Sequence, residues 1–123
     1  MTDKTILYIE DNADNAYMLS RRLQRKGYSV VVAVDGAKGV ETARSLQPDI
    51  ILMDLDLPVM DGWAASGKLK SLNATRHIPI IAVSSHVLPD DRQNALTAGC
   101  DEYETKPIDF ERLLRKIRAL EQN

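Results

Sequence analysis

The feature that most constrains the fold is a series of short apolar runs separated by segments of helical spacing. Each run has the length of a β-strand and is bounded by turn-forming residues. The runs show little polar alternation, which is typical of strands covered on both faces in a parallel sheet. They lie at residues 5–9, 30–34, 50–53 and 78–83, with a weaker fifth run near Tyr103. The sequence therefore predicts five strands, of which the first four are buried on both faces.

The segments between the runs supply helices that can cover the sheet. Residues 14–26 and 109–120 carry apolar side chains at helical spacing, as amphipathic helices do. The helix predicted at 62–72 is the weakest, because Gly67 in its interior costs about 1 kcal/mol relative to alanine. The predicted helix ends are N-caps at Asp14, Asp35 and Asp109, a first turn at Pro89, and C-terminal stops at Gly27 and Gly99.

Strict alternation of five strands with five helices predicts an α/β fold that is doubly wound around a five-stranded parallel sheet. The chain has 123 residues, a length that fits one globular domain. We predict a single domain over residues 1–123, with residues 4–121 as its ordered core. Because this plan uses every residue, it leaves none for a separate output domain.

Composition and charge argue against several classes of function. The formal net charge of -2 and the pI of about 5.6 give no general attraction for nucleic acid or anionic lipid. No segment approaches the roughly 20 apolar residues of a membrane helix. The single cysteine, Cys100, cannot form an intrachain disulfide. We therefore expect a cytoplasmic protein that binds neither nucleic acid nor membrane.

Polar side chains follow the predicted strands at the points where these strands end. Glu10 and Asp11 follow the first strand, Asp54 the third, Ser84 the fourth and Lys106 the fifth. In open parallel sheets ligands bind beyond the carboxyl ends of the strands, so these side chains are expected to line one edge. Neighbouring carboxylates repel one another unless one is protonated or a cation lies among them. Hard oxygen ligands suit Mg²⁺, and a lysine and a hydroxyl at the same edge would complete a pocket for a phosphoryl group.

These polar residues belong to a larger spaced set that also contains turn residues. The set is Glu10-Asp11, Asp54, Pro58, Asp61-Gly62, Ser84 and Lys106-Pro107. It resembles the receiver domain of two-component response regulators, and the resemblance covers essentially the whole chain. The pairs ED and KP carry no signal individually, but the complete set in this order is highly specific. The resemblance implies a flavodoxin-like strand order of 2-1-3-4-5 and a stand-alone, chemotaxis-regulator-like signalling domain rather than an enzyme.

By this resemblance, Asp54 is the phosphoacceptor, and its carboxylate takes a phosphoryl group from a phosphohistidine on a histidine kinase or a histidine phosphotransfer protein. Asp11 and Asp54 would bind Mg²⁺ (or Mn²⁺) directly. Glu10 would bind it through water, and the backbone carbonyl of Asp56 would be a further ligand. The phosphorylated domain would then bind an unidentified downstream protein or pass the phosphate along a relay. Whether the chain also forms a weak homodimer stays open.

The resemblance also implies roles for residues near the last two strands. Ser84 and Lys106 would bind the phosphoryl group, and Ser84 and Tyr103 would move together as a switch. The alternative for Tyr103 is a half-buried aromatic residue of the strand. The structural residues would be Pro58, Gly62 and Pro107, the last joined to Lys106 by a cis peptide bond. On the last helix, Arg112, Arg115 and Arg118 are candidates for contact with a partner protein, although a solvated face is the favoured interpretation.

Two rival functions are left open. Asp54 and Asp56 also resemble the paired aspartates of haloacid-dehalogenase-type phosphatases, in which nucleophile and general acid are two residues apart. That motif usually continues with threonine or valine where this chain has Pro58, and it follows the first strand. The second rival is a degenerate receiver that acts only as an interaction module, although none of the expected site residues is replaced. Within the receiver interpretation, the charge of Asp56 is expected to alter the lifetime of the phosphoryl group.

Overall fold

In the computed structural model, which describes residues 4–57, 62–85 and 90–121, strands and helices alternate along the chain. The strands are β1 (Thr5–Ile9), β2 (Ser29–Ala33), β3 (Ile50–Asp54), β4 (Ile80–Ser84) and β5 (Glu102–Thr105). The helices are α1 (Ala13–Arg25), α2 (Gly36–Leu46), α3 (Gly62–Ser71), α4 (Asp91–Thr97) and α5 (Phe110–Glu121). Pro58, Asp61 and Pro89, which carry sequence-based predictions, lie outside the described residues. Within the described ranges, no helix is long and apolar enough to cross a membrane.

The strands form one parallel sheet in the order β2-β1-β3-β4-β5. This arrangement confirms the doubly wound α/β fold and the implied strand order. β1 pairs with β3, with Ile9 opposite Met53, so the residues that follow β1 lie beside Asp54 at the end of β3. The strand order reverses at this pair, which is where open α/β sheets place their ligands.

Side chains of the central strands alternate between two apolar layers, as the two-residue period of a β-strand requires. In β1, Leu7 and Ile9 pack with residues of α2, α3 and α4, whereas Ile6 and Tyr8 pack with residues of α1 and α5. β3 and β4 are buried along their whole length. Because each buried Val, Leu or Ile side chain stabilises the fold by about 1.5–3 kcal/mol, these layers hold the carboxyl ends of the central strands in fixed positions.

The prediction that the first four strands are covered on both faces is wrong for β2. Ser29 is exposed, Val32 keeps 40% of its side chain accessible, and only Ala33 is buried. β2 is an edge strand that pairs with β1 alone, so the helices cover it incompletely. An apolar run in the sequence does not distinguish an edge strand from a central one.

The N-cap of α1 differs from the prediction. The cap is Asn12, whose side chain accepts a hydrogen bond from the backbone N–H of Asn15 at 2.9 Å. Asp14 was the predicted cap, but the helix begins one residue before it and places it in the first turn. There its carboxylate interacts favourably with the positive end of the helix dipole.

Other predicted helix ends are confirmed. Asp35 and Asp109 accept hydrogen bonds from the backbone N–H groups three residues later, at 2.7 and 3.1 Å. Gly27 and Gly99 have φ angles of 96° and 111°, in the left-handed region that commonly ends a helix and that favours glycine.

Candidate functional site

Three carboxylates meet at the carboxyl edge of the sheet, as the sequence predicted. Glu10 and Asp11 follow β1, Asp54 ends β3, and oxygen atoms of all three lie within 4.8 Å of one another. Glu10 and Asp54 are each only 2% exposed, whereas Asp11 is open to solvent. The cluster therefore has two buried carboxylates, Glu10 and Asp54, and one carboxylate, Asp11, through which solvent reaches it.

A lysine faces this cluster from the end of β5. The backbone N–H of Lys106, just after β5, donates to the carbonyl of Ser84 at 2.8 Å, which fixes the start of the loop. The Lys106 Nζ lies 3.3 Å from Asp54 Oδ2, 3.8 Å from Glu10 Oε1 and 3.9 Å from Asp56 Oδ2. The peptide bond that joins Lys106 to Pro107 is cis, as the resemblance implied. One ammonium group is thus shared among three carboxylates.

The electrostatics of the cluster favour an additional cation. Burial, together with the hydrogen bond and the charge of Asp54, raises the pKa of Glu10 to about 7, and Lys106 only partly opposes this rise. A carboxyl group in this position takes up a proton readily unless more positive charge is supplied. Mg²⁺ binds oxygen ligands and keeps several waters, so the set of Glu10, Asp11 and Asp54 suits this ion.

The side chain of Asp56, whose charge was expected to affect the site, also binds Ser85, which the sequence did not indicate. Its backbone N–H donates to Asp54 Oδ1 at 2.9 Å. Its Oδ2 accepts hydrogen bonds from the backbone N–H and the hydroxyl of Ser85, at 3.1 and 2.9 Å. Asp56 therefore orients the carboxylate of Asp54 and connects it to the loop that follows β4. The sequence signal for this contact is a second acid, Asp56, two residues after the end of β3, together with a second serine, Ser85, directly after β4.

Ser84 and Tyr103 lie together beside the cluster. Ser84 ends β4 and is fully buried, and Tyr103 in β5 is 7% exposed, which is more buried than the half-buried aromatic residue that was predicted. Burial raises the pKa of the Tyr103 hydroxyl, and a hydrogen bond with the Ser84 side chain acts in the opposite direction. A buried hydroxyl pair thus links the end of β4 to β5.

Gly62 allows α3 to begin against the end of β3. A Cβ atom at this position would overlap the carbonyl oxygen of Asp54 and lie 2.5 Å from the Cα of Leu55. Both are backbone atoms, which cannot move aside as the end of a side chain can. Glycine is needed here for close approach, next to the most buried aspartate of the site.

An arginine on the exposed face of α5 also makes a contact that the sequence did not indicate. Arg112 binds the buried carboxylate of Glu104 in β5, with its Nε 2.8 Å and its Nη2 2.6 Å from Oε1. Lys116 approaches the other oxygen of Glu104 at 3.2 Å. Burial alone would raise the pKa of Glu104, but the hydrogen bonds and charges of Arg112 and Lys116 lower it overall. This network attaches α5 to β5 and is structural.

Comparison with known proteins places the chain among signalling domains. The family model described as "Response regulator receiver domain" matches residues 6–118. The DNA-binding dual master transcriptional regulator RpaA of Synechocystis sp. is 38% identical over 115 residues, which cover 94% of this chain and 48% of that protein. The polar-differentiation response regulator DivK of Brucella anthropi is 32% identical over 116 residues, which cover 94% of both chains. The chain thus spans about half the length of RpaA and nearly all of DivK.

Solved structures give the same result. One is the receiver domain of the sensor histidine kinase PA1611 from Pseudomonas aeruginosa, which has a magnesium ion coordinated in its active-site cleft. It is 34% identical to this chain and superimposes with a TM-score of 0.91, over 99% of this chain and 100% of that one. A putative response regulator from Chloroflexus aurantiacus reaches a TM-score of 0.93 over 99% and 100% of the two chains, and its 23% identity supports the fold alone. With its acid cluster and its facing lysine at the carboxyl edge of the sheet, this chain belongs to the response regulator receiver family of two-component signalling systems.

Proposed function

We propose that the chain is a phosphorylation-controlled switch in which Asp54 accepts a phosphoryl group from a phosphohistidine of a histidine kinase or a histidine phosphotransfer protein. The observation that carries this proposal is the position of Asp54. Its carboxylate ends β3, is 2% exposed, lies among the oxygens of Glu10 and Asp11, and is contacted by Lys106 at 3.3 Å. An ionised carboxylate that is flanked by cation ligands and an ammonium group is suited to act as the nucleophile in phosphoryl transfer.

The contacts of Asp54 orient it for attack. Its Oδ1 accepts the N–H of Asp56, and its Oδ2 faces the Lys106 ammonium group. In the reaction, a carboxylate oxygen forms a bond to phosphorus while the bond between phosphorus and the donor imidazole breaks and the imidazole nitrogen keeps the electron pair. Lys106 is close enough to stay paired with the site as negative charge moves from the donor onto Asp54.

A divalent cation fits the proposed chemistry. Glu10, Asp11 and Asp54, with the backbone carbonyl of Asp56, would hold Mg²⁺ or Mn²⁺. The magnesium ion of the related PA1611 receiver supports this assignment. When bound, the ion offsets the charge of the carboxylates and of the phosphoryl oxygens.

The signal would pass from Asp54 through Ser84 and Tyr103. Ser84 ends β4, the strand that pairs with β3 next to Asp54, and its hydroxyl is hydrogen-bonded with Tyr103. A phosphoryl oxygen on Asp54 offers Ser84 a stronger acceptor, so the hydroxyl would turn toward it and alter the packing of Tyr103. This would shift a population between two arrangements of one fold. The outcome would be a change in binding to a downstream protein or onward transfer of phosphate.

The proposal is tested by incubation with a small phosphodonor and Mg²⁺. We expect a stable phosphoprotein with about one phosphoryl group per chain, and no modification when EDTA removes the ion. Rapid multiple turnover on phosphate esters would instead support a phosphatase. A protein that stays unmodified both with Mg²⁺ and with EDTA would support a degenerate interaction module.

Asp56→Asn should lengthen the lifetime of the phosphoryl group. The Asp56 carboxylate lies at the mouth of the site, 3.9 Å from Lys106, where it can accept a proton from an attacking water. Loss of one such hydrogen bond, about 1 kcal/mol, corresponds to roughly fivefold slower hydrolysis. The measurement is the decay of phosphoprotein after the donor is removed. Ser85→Ala is the control because it removes the hydroxyl that Asp56 binds but keeps the charge, and equal decay of Asp56→Asn and the parent would remove this role.

A further inference from the structure

The hydroxyl of Tyr8 is a polar group placed inside an apolar layer. Tyr8 lies in the middle of β1, is 1% exposed, and packs in the cluster that contains Leu19, Leu52 and Phe110. Phenylalanine would fill the same space without bringing a hydroxyl group out of water. A buried tyrosine hydroxyl usually has a hydrogen-bond partner, and here that partner is Glu10 Oε1 at 3.1 Å.

The direction of this hydrogen bond follows from the chemistry of the two groups. Residues two apart on a strand point to the same face, so the Tyr8 ring extends toward the carboxylate of Glu10. A phenolic hydroxyl carries a donor proton, whereas an ionised carboxylate can only accept. The hydroxyl of Tyr8 therefore donates, and the carboxylate of Glu10 accepts.

Besides its contact with Asp54, the Glu10 carboxylate is approached by two groups that lie farther away than the Tyr8 hydroxyl. Lys106 approaches the same oxygen, Oε1, at the longer distance of 3.8 Å, and the backbone N–H of Asn12 reaches Oε2 at 3.4 Å. The hydrogen bond from Tyr8 is the shortest of the three. It comes from a ring held in the core, whereas Lys106 is a flexible side chain that also serves Asp54.

We infer that Tyr8 is a positioning residue of the cation site, and that its hydroxyl holds the Glu10 carboxylate in the orientation in which it takes part in binding the divalent cation. Tyr8 acts through Glu10 and does not touch the ion. The inference rests on the proposed function, since the cation site belongs to it. Groups that orient ligands in this way commonly change metal affinity by about 10–100-fold when they are removed.

The test compares Mg²⁺ affinity in the parent and in Tyr8→Phe by titration calorimetry of the full chain. We expect Mg²⁺ to bind Tyr8→Phe about tenfold more weakly. Tyr28→Phe is the matched control, because Tyr28 is also buried and its hydroxyl donates to a glutamate, Glu121, at 3.2 Å. Tyr28 precedes β2 at the opposite edge of the sheet, so this variant should keep the parental affinity.

A double-mutant cycle separates positioning from a general effect on structure. In a Glu10→Gln background, Tyr8→Phe should cause no further loss of Mg²⁺ affinity, because its effect passes through the carboxylate. Urea unfolding in EDTA checks that each variant is folded. Unchanged affinity in Tyr8→Phe, or an equal loss with and without Glu10, would overturn the inference. A parent that binds no Mg²⁺ would contradict the proposed function itself, and this outcome is distinguishable from the other two.

Discussion

Asp54→Asn is expected to abolish acceptance of the phosphoryl group, lowering incorporation from a small phosphodonor by at least about 100-fold. An amide has nearly the shape of the carboxylate but lacks its negative charge, so its oxygen is a far weaker nucleophile toward phosphorus. The substitution also removes a negative charge from a cluster in which one lysine serves three acids. The metal-free variant should therefore remain folded, with a stability at least equal to that of the parent in urea.

Asp56→Asn is the matched comparison for this loss. It makes the same chemical change two residues later, on a carboxylate that binds Ser85 and lies near Lys106. This variant should still accept a phosphoryl group, with the altered lifetime described above. If Asp56→Asn lost incorporation and Asp54→Asn retained it, the assignment of the nucleophile would be wrong.

Gly62→Ala should destabilise the protein by about 2–3 kcal/mol and slow phosphorylation. The added Cβ would overlap the carbonyl oxygen of Asp54 and crowd the Cα of Leu55. Relief requires either α3 or the end of β3 to move, and the second movement displaces Asp54. The free energy of unfolding from urea titrations and the initial rate of phosphorylation measure the two effects.

Gly67→Ala provides the control within the same helix. A Cβ at Gly67 meets no atom within 4 Å, and alanine favours a helix interior by about 0.5–1 kcal/mol over glycine. This variant should therefore be slightly more stable than the parent and should be phosphorylated normally. A Gly62→Ala protein as stable as Gly67→Ala would show that the close approach to β3 is not required.

The fold was predictable because its strands are nearly continuous apolar runs at regular intervals. What the runs could not show was their place in the sheet. Residues 30–34 look as hydrophobic as the central strands, yet β2 lies at the edge and Val32 is exposed. The N-cap of α1 was missed for a local reason, since Asp11, Asn12 and Asp14 are all good caps and the exact first residue of the helix decides among them.

The main part of the site was predictable because the carboxyl ends of parallel strands share one edge. That rule brought Glu10, Asp11, Asp54 and Lys106 together without any knowledge of side-chain conformation. The contacts that were missed depend on which way a side chain turns. Tyr8 has the pattern of an ordinary core residue in the sequence, and nothing in the spacing indicates that its hydroxyl reaches Glu10.

The ion pair between the buried Glu104 and the exposed Arg112 was missed for a similar reason. An arginine on the polar face of an amphipathic helix is normally solvated. Here the partner carboxylate belongs to β5, where a glutamate with a 1% exposed side chain requires positive charge beside it. Only the packing of α5 against the sheet reveals that Arg112 and Lys116 supply that charge.

The most direct test of the central claim is to locate the phosphoryl group on the parent protein. After incubation with a phosphodonor and Mg²⁺, borohydride reduction converts an aspartyl phosphate into homoserine, and peptide mass spectrometry identifies the modified position. We expect homoserine at position 54 and at no other aspartate. Modification of Asp11 or Asp56 instead, or a phosphate on a serine hydroxyl, would contradict the assignment of Asp54 as the phosphoacceptor.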